Sequence, residues 1–416
     1  MHESNEKDLS ISFLGCVFDE KLADYVINND HNFPQLAANK LGWLFINGLE
    51  HYYEGLLSVF SVINVSSYPG FSDLLICKGH TQTSKGSNLI YIPYINIKLI
   101  KHLIIAISSF FLLARWAVKS KSRNKILVVY SMYAPFPVVS RVLSLCFRVK
   151  SILIVPDLPE HMRIGVPTPW YLKMLLRINR WQLYLFGRLF DGYIFLTKFM
   201  TEGFNVQPDR YEIIEGCVDS LPGYNSHESE NSINGGQRIL LYAGQLNAAY
   251  GVRILLLAFT SLQNPDYRLW ICGSGPMREE VLRFCDMDKR IKYYGVITND
   301  EVNSLCRKAT ALINPRTADG TFTKYSFPSK ILEYLKSGKP TIICRLEGIP
   351  EEYYSHTYVV EDQNEAGFSK AIDLVLSKPA DELTAFGRNS QKWVQKNKNN
   401  LVQVNKIIKI INKIIR

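Results

Sequence analysis

The stretch LLYAGQLNAAYGVRILLLAF (residues 240–259), followed by RLWICGSGP (residues 268–276), decides the fold class. Each begins with a short apolar run that ends at a glycine, and the first continues into an apolar helical stretch. A short strand that passes through a glycine turn into a helix is the repeating unit of a parallel α/β layer. This part of the chain is therefore predicted to alternate parallel strands with helices.

The same alternation continues outward in both directions. In the first half we predict strands at 11–18, 57–65, 126–130, 151–155 and 193–196, and helices at 35–53, 97–120, 138–147 and 170–189. In the second half we predict strands at 239–242, 268–272, 291–294, 311–313 and 340–344, and helices at 252–262, 277–284, 299–308 and 329–337. The fold class is α/β, with two Rossmann-like domains and ligands expected in a cleft at the carboxyl ends of the strands.

Length and a composition shift set the predicted domain bounds. A single core rarely grows beyond about 250–300 residues, so 416 residues favour two domains. Residues 221–237 (LPGYNSHESENSINGGQ) are polar, aperiodic and rich in Gly, Ser and Asn, which is typical of a linker. We predict an N-terminal domain over 1–220, a linker over 221–237, a C-terminal domain over 238–378 and C-terminal helices over 379–416.

Composition excludes several classes of protein. With 47% apolar and 21% charged residues the chain is neither disordered nor fibrous. Its eight cysteines are never closer than thirteen positions, which excludes CxxC metal or redox motifs and predicts buried thiols in a reducing compartment. The first residues show no secretion signal, so we expect a cytoplasmic protein.

The charge is concentrated near the C-terminus. The net charge is +10, and residues 388–416 contain eight Lys or Arg and no acidic residue, so no nucleic-acid partner is predicted. Residues 401–416 form a basic amphipathic pattern, which is typical either of a packed final helix or of an anchor on an anionic membrane. Residues 102–114 are uncharged, too short to span a bilayer, and fit either a helix on a sheet or a surface that enters lipid.

The motif FPSKILE (residues 327–333) carries the clearest chemistry. Ser329 is predicted as the N-cap of a helix whose free amides and positive end, beside Lys330, suit a diphosphate. Glu333 lies one turn on, where it can accept hydrogen bonds from ribose hydroxyls. The alternative is a surface Lys–Glu pair.

Glycines at strand ends indicate where a ligand would approach. Gly244, Gly273 and Gly275 are expected to let backbone N–H groups come close to it, because no Cβ stands in the way. By itself Gly273-Ser-Gly275-Pro is a weak signal, since the third glycine of a dinucleotide fingerprint is missing.

The order of glycine strand ends, Gly-x-Gly-Pro, Tyr-Gly-Val, an Asn-Pro loop and Ser-Lys…Glu-Tyr…Ser-Gly-Lys-Pro over residues 240–350 resembles the C-terminal domain of family-4 glycosyltransferases of the GT-B fold. It is most similar to bacterial members that build cell-surface polysaccharide and carry the FPSK variant. The match is fainter in the N-terminal half, at IVPDLPE (154–160) and EGCVD (215–219). The resemblance implies a nucleotide-sugar donor on the C-terminal domain and an acceptor on the N-terminal one.

The resemblance also assigns donor-binding positions. Gly295 and Val296 correspond to the loop that reads the nucleobase, and Glu333 to the ribose-binding Glu of the E-x7-E motif. The first Glu of that motif is replaced by Tyr325.

Two cations of the family are also replaced. They fall at about Gln245 and Tyr250. We therefore expect Arg316 and Lys330 to supply the charge that stabilises the leaving diphosphate, with Arg253 a poorer candidate.

Two further patterns bear on acceptor activation and on metal binding. Asp157 and His161 follow an N-domain strand and are the candidates for activating the acceptor, although Asp157 also suits a turn cap. Asp286-Met-Asp288 matches a D-x-D pattern but lies away from the ligand end of the strands, so a solvated turn is expected. The resemblance implies a retaining, metal-free reaction without a cofactor.

The sequence thus predicts a glycosyltransferase on the inner face of the plasma membrane that adds a sugar to a glycan or lipid-linked acceptor. Three alternatives stay open: a nucleotide-sugar-binding partner without activity, a sugar-nucleotide epimerase, and a pure membrane-interaction protein.

Overall fold

The computed structural model describes residues 8–30, 36–98, 100–159, 170–220 and 236–415. They divide into two compact units: unit 1 comprises Met1–Ile214 with Asn400–Arg416, and unit 2 comprises Glu215–Asn399. Each unit contains a mainly parallel sheet with helices, so the predicted α/β class is confirmed.

Unit 1 is built on an eight-stranded sheet. The strands of unit 1 are β1 (Leu9–Gly15), β2 (Leu57–Ser61), β3 (Leu75–Ile76), β4 (His80–Gln82), β5 (Asn88–Tyr91), β6 (Tyr94–Ile95), β7 (Asn124–Tyr130), β8 (Lys150–Val155), β9 (Gly192–Phe195) and β10 (Tyr211–Ile213), and all except β3 and β6 belong to this sheet. The order is β10-β9-β8-β7-β1-β2-β5-β4, parallel except for β4, and β3 pairs with β6 separately. Its helices are α1 (Glu20–Asn29), α2 (Leu36–Tyr52), α3 (Ile100–Lys119), α4 (Pro135–Phe147), α5 (Trp170–Gly187) and the final helix of the chain, α12 (Asn400–Ile415).

Unit 2 is a six-stranded, fully parallel sheet. Its strands are β11 (Arg238–Ala243), β12 (Tyr267–Cys272), β13 (Ile291–Tyr293), β14 (Ala311–Asn314), β15 (Thr341–Cys344) and β16 (Tyr358–Val360), in the order β13-β12-β11-β14-β15-β16. Its helices are α6 (Val252–Thr260), α7 (Arg278–Met287), α8 (Asn299–Lys308), α9 (Lys330–Lys336), α10 (Glu365–Leu376) and α11 (Ala380–Asn397).

Local sequence explains these elements. The central strands are continuous apolar runs because both faces of the sheet are covered, as in β7, whose last five residues are all buried. Helix α8 begins at a capping box, in which the Thr298 side chain accepts from the amide of Glu301 and the Glu301 carboxylate accepts from the amide of Thr298. Strong strand and cap signals are the reason why most predicted elements are found.

The two units divide the C-terminal segment differently from the predicted bounds. The chain passes into unit 2 at Glu215, and the predicted linker over 221–237 lies outside the described residues except for its last two. The predicted segment 379–416 is not a separate part, because α11 belongs to unit 2 and α12 to unit 1.

Helix α12 is a packed final helix. Val404, Ile407 and Ile411 on its apolar face are fully buried against unit 1, and Lys406 Nζ donates to the carbonyl of Ile213 at 2.7 Å. The apolar face that an anchor would insert into lipid is therefore covered by protein.

The thiols are less uniformly buried than expected. Cys217, Cys272, Cys306 and Cys344 are buried, but Cys77 and Cys146 are exposed, so the prediction of buried thiols is wrong for these two. Cys77 follows the short strand β3, and Cys146 lies in the last turn of α4, where neither position faces a core.

A buried ion pair joins the first and last segments of unit 2. Lys398 Nζ lies 3.2 Å from Glu215 Oε2 and 2.6 Å from Glu352 Oε1, and the side chains of Lys398 and Glu215 are only 4% and 6% exposed. The amide of Val218 also donates to the carbonyl of Lys398 at 2.9 Å. The residues at which the chain enters and leaves unit 2 are thus fixed to each other.

Replacing Lys398 by methionine should destabilise the protein by about 3–5 kcal/mol, because the carboxylate of Glu215 would stay buried without its partner. The measurement is the free energy of unfolding in urea. Lys396→Met is the matched control, because Lys396 lies two residues earlier in the sequence, on α11, and is exposed. It should change the free energy of unfolding by less than about 0.5 kcal/mol. Equal effects of the two substitutions would contradict this role of the pair.

Candidate functional site

In unit 2 the loops that follow β11, β12 and β13 are bonded to one another through their backbones. The amide of Gly244 donates to the carbonyl of Cys272 at 3.0 Å, and the amide of Gly273 donates to the carbonyl of Gly295 at 2.8 Å. The amide of Leu246 also donates to the carbonyl of Ser274 at 2.8 Å. These bonds make the carboxyl edge of the sheet a single layer of loops.

The glycines after β12 are required by this packing. A Cβ at Gly273 would lie 1.9 Å from the carbonyl oxygen of Gly244, and one at Gly275 would lie 2.3 Å from that of Leu246. Both also have positive φ, of 129° and 154°. The absence of a Cβ at these two positions is therefore needed for the loops to pack against each other.

This changes the predicted role of two amides. The N–H groups of Gly244 and Gly273 are donated to protein carbonyls, so the expectation that they stand free for a ligand is wrong. The predicted nucleobase loop is more open: Gly295 has nothing within 4 Å of an added Cβ, and Val296 is 70% exposed.

Helix α9 is held at this edge by Tyr334, which the sequence analysis did not single out. Its buried hydroxyl accepts from the amide of Ala243 at 2.9 Å and donates to the carbonyl of the same residue at 3.1 Å. Burial raises the pKa of Tyr334 well above its ordinary value, so the hydroxyl stays protonated. The available signal was its spacing, four residues after Lys330 and so on the same helix face.

Lys330 and Glu333 form an ion pair at the start of α9. Lys330 Nζ lies 2.6 Å from Glu333 Oε2, and the two side chains are 36% and 38% exposed. Burial raises the pKa of Cys272 to about 12 and that of Cys306 to about 11, and the ammonium of Lys330 opposes both rises. Helix α9 follows β14 and precedes the parallel strand β15, so its first residues lie at the carboxyl edge of the sheet, and the pair stands half-open to solvent there.

Ser329 does not cap α9 as predicted. It stands at the N-cap position but has helical backbone angles, and its side chain makes no capping hydrogen bond. The amides of Ile331 and Leu332 already donate to the carbonyls of Pro328 and Ser329. Because the chain turns helical one residue early, the first turn has fewer available amides than expected.

Arg316 lies two residues beyond β14 and is held between aromatic rings. Its guanidinium carbon lies 4.6 Å from the ring centre of Tyr250 and 5.1 Å from that of Phe322, and its Nη1 lies 3.4 Å from Ser326 Oγ. Cation–π contacts of this kind orient the guanidinium without neutralising it. A fixed positive charge therefore lies on the loop that leads to α9.

The remaining predicted positions on unit 2 are occupied by other contacts. Tyr325 is half-buried beneath the ammonium of Lys324, 4.7 Å from its ring centre. Arg253 is paired with Glu280 at 2.8 Å.

The Asp286–Asp288 pattern lies at the C-terminal end of α7, with Asp288 at the C-cap position. Both carboxylates are paired, Asp286 with Lys289 at 3.8 Å and Asp288 with Arg290 at 2.8 Å. Hydrogen bonds from Arg290 lower the pKa of Asp288. Asp288 is largely buried, so the expectation of a solvated turn is wrong for this residue.

Unit 1 has its own cavity at the carboxyl edge of its sheet. It has a volume of about 120 Å³ and is lined by Cys16, Phe18, Ala38, Asn64, Tyr130, Ser131, Met132, Tyr133, Pro156 and Asp157. Asp157 follows β8 and is exposed, as a residue that contacts an acceptor must be. His161 lies outside the described residues.

Two polar groups of this cavity were missed by the sequence analysis. Ser131 has φ of 84°, which is unusual for a residue other than glycine, and the Tyr133 hydroxyl is buried without a hydrogen-bond partner among the described residues. Such features concentrate at functional sites. The signal was their position in the short loop between β7 and the proline that begins α4.

Part of the chain is similar to a known protein family. Residues 225–393 match the family described as Glycosyl transferases group 1. The matched residues lie within unit 2. The expected enzyme class is thereby confirmed, and none of the curated protein sequences matches the chain.

Solved structures extend the likeness to the whole chain. Sucrose-phosphate synthase from Thermosynechococcus elongatus is 14% identical with a TM-score of 0.67, covering 98% of this chain and 99% of that one. HepE of Anabaena, in complex with UDP, is 11% identical with a TM-score of 0.64, covering 97% and 100%. The lipopolysaccharide outer core galactosyltransferase WaaB is 11% identical with a TM-score of 0.59, covering 97% and 99%. The chain has the GT-B fold, as predicted.

Gly273→Ala should destabilise unit 2 by about 2–5 kcal/mol, since the new Cβ meets the carbonyl of Gly244 and the backbone angle suits only glycine. Gly295→Ala is the control: it has positive φ but open space, and should cost about 1–2 kcal/mol. Urea unfolding of both variants measures the difference. A Gly273→Ala protein as stable as the control would show that the loops do not depend on their close approach.

Proposed function

We propose that the chain transfers a glycosyl group from a nucleotide-sugar donor, held by unit 2, to a glycan or lipid-linked acceptor in assembly of cell-envelope or extracellular polysaccharide. The observation that carries the proposal is the Lys330–Glu333 pair, half-open at the carboxyl edge of a group 1 domain. The complex of HepE with UDP and the activity named for WaaB support the donor and acceptor classes. Membership of family 4 and its FPSK variant belongs to this proposal.

Lys330 and Glu333 have separate roles in donor binding. When a donor enters, its diphosphate competes with the Glu333 carboxylate for the ammonium of Lys330. The freed carboxylate then accepts hydrogen bonds from the ribose hydroxyls. In the structure both side chains of the pair are half-exposed, so both are accessible to a donor.

Arg316 supplies a second positive charge. The family places a cation at about position 250, where this chain has Tyr250, and the Tyr250 ring is in contact with the Arg316 guanidinium. The loop after β14 thus delivers a cation next to the position from which the family cation is missing. This supports activity in spite of the substitutions at Gln245, Tyr250 and Tyr325.

The roles of Lys330 and Arg316 follow from the negative charge that develops on the leaving group during transfer. The bond between the anomeric carbon and the diphosphate oxygen breaks, the acceptor oxygen bonds to that carbon, and the acceptor hydroxyl gives up its proton. Negative charge grows on the departing nucleoside diphosphate, and the cations Lys330 and Arg316 stabilise it. We propose retention of anomeric configuration, no requirement for a metal, and Asp157 as the group that takes the acceptor proton.

The donor is found first with a panel of UDP-, GDP- and ADP-sugars and the thermal unfolding of the full chain. A ligand at 100 times its dissociation constant stabilises the protein by about 2.7 kcal/mol. With that donor, Lys330→Ala should lower kcat/KM for transfer by about 10²–10³-fold, because one stabilising charge is lost from the leaving group. Lys370→Ala, at an exposed position on α10, is the control and should leave it unchanged.

The outcomes separate the alternatives. A Lys330→Ala enzyme with full transfer rate and donor affinity would remove the assignment of Lys330. Donor binding by the wild type without transfer or hydrolysis would identify a nucleotide-sugar-binding partner, and donor inversion without an acceptor would identify an epimerase.

Asp157→Asn should lower kcat by about 10²–10⁴-fold and leave the dissociation constant of the donor unchanged, since it removes a base and not a donor contact. Donor titration and initial rates at saturating acceptor measure the two quantities. A turnover close to that of the wild type would assign Asp157 to the turn that it begins.

A further inference from the structure

Helix α3 is apolar on the side that faces away from the sheet. Ile105, Leu113 and Ala117 are fully buried on its inner side. The opposite side carries a stripe of exposed apolar residues at helical spacing, with Leu103, Phe111 and Val118 exposed by 63%, 67% and 70%; its members are Ile100, Leu103, Ile107, Phe111 and Val118. A helix that is apolar all round is normally enclosed in protein or lipid, and this one is enclosed on one side only.

Two neighbouring helices continue the same surface. Helix α4 packs between α3 and α5 and exposes Val142 and Leu145. Helix α5 has a second stripe, opposite its buried Leu183, formed by Met174, Ile178, Trp181 and Leu185, and Trp181 is 65% exposed. These outward residues of the three helices are called the α3–α5 face below. Exposed apolar patches that extend over several helices mark interaction surfaces.

The charged side chains of helices α3, α4 and α5 are all basic. The sequence contains no Asp or Glu between Asp73 and Asp157, nor between Glu160 and Asp191. The three helices carry basic residues at Lys101, Arg115, Lys119, Arg141, Lys173, Arg177 and Arg180. Lys101 is buried, where it donates to the carbonyl of Val65, and the others lie at or near the surface. The partner of this face must therefore be apolar and negatively charged.

A groove beside α5 suits a phosphate group. It has a volume of about 480 Å³, and Arg177, Arg180, Arg188 and Trp181 contribute to its lining. Arg188 Nη2 donates to the carbonyl of Gly203 at 2.9 Å, which fixes its guanidinium, while no ion pair forms at Arg177 or Arg180 within the described ranges. Guanidinium groups bind phosphate oxygens in pairs, and tryptophan favours the boundary between lipid and water.

We propose that the α3–α5 face docks unit 1 on a bilayer containing anionic phospholipid, with a lipid phosphate in the arginine groove. The apolar stripes enter the acyl region and the surrounding Lys and Arg contact the headgroups. By length and composition α3 could cross a membrane, but its inner side is buried within unit 1, where the helix packs against α4 and β6, so it lies along the surface. This contact replaces the one expected from residues 401–416, whose apolar face is covered.

The test is co-sedimentation of the full chain with vesicles of phosphatidylcholine mixed with phosphatidylglycerol, and of phosphatidylcholine alone, at low and high salt. The wild type should bind the mixed vesicles in a salt-sensitive manner. The double variant Arg177→Gln/Arg180→Gln should bind them about 30-fold more weakly, at about fivefold per basic residue. Leu103→Asn/Phe111→Asn should reduce binding by roughly tenfold or more.

Matched controls lie elsewhere on the surface. Lys396→Gln/Lys409→Gln removes two exposed charges from α11 and α12, and Leu374→Asn removes an exposed apolar side chain from α10. Both should bind vesicles like the wild type, and thermal unfolding should show that all variants fold.

Three results would overturn the proposal. One is equal binding to neutral and anionic vesicles, and another is a loss of binding in the controls as large as in the variants of the face. The third is self-association of the wild type that Leu103→Asn/Phe111→Asn abolishes without any vesicle binding, because the face would then join two copies of the chain. The proposal does not rest on transfer activity, so its failure and that of the proposed function are distinguishable.

Discussion

The carbonyl oxygen of Gly244 occupies the space in which a side chain at position 273 would lie, and the candidate donor site depends on that close approach. It brings the loops after β11, β12 and β13 into one bonded layer. Tyr334 then bonds to both backbone groups of Ala243 and fixes α9 beneath the layer. Lys330 and Glu333 owe their position to these contacts, because a helix of seven residues has little stability of its own.

Positive charge at the carboxyl edge of unit 2 comes from the loop after β14. The family resemblance implies a carboxylate where this chain has Tyr325 and cations at about Gln245 and Tyr250. In the structure, Arg316 contacts the Tyr250 and Phe322 rings on the loop before α9. Cation–π contacts with two aromatic rings orient the guanidinium of Arg316. A diphosphate would therefore meet a cation that is already positioned.

Unit 1 shows a division of surfaces. Its carboxyl edge holds a small cavity with Ser131 at positive φ and the Tyr133 hydroxyl, which has no hydrogen-bond partner among the described residues. The outward sides of α3, α4 and α5 are apolar and free of acidic residues, suited to anionic lipid. A lipid-linked acceptor has both chemical characters, which gives one reason for the two surfaces to occur in the same unit.

The sequence by itself determined the alternation of strands and helices, the α/β class and the FPSKILE motif, because these depend on local patterns of apolar residues, glycine and proline. The GT-B fold was implied by the family resemblance over residues 240–350. The sequence could not determine how many amides Gly244, Gly273 and Ser329 leave available, since that depends on which carbonyl each loop meets. Nor could it determine the role of residues 401–416: an amphipathic helix suits lipid and protein equally, and only packing against unit 1 decided between them. Tertiary structure likewise decided that the outward side of α3 is apolar, because helical periodicity cannot reveal which side of an apolar helix the sheet will cover.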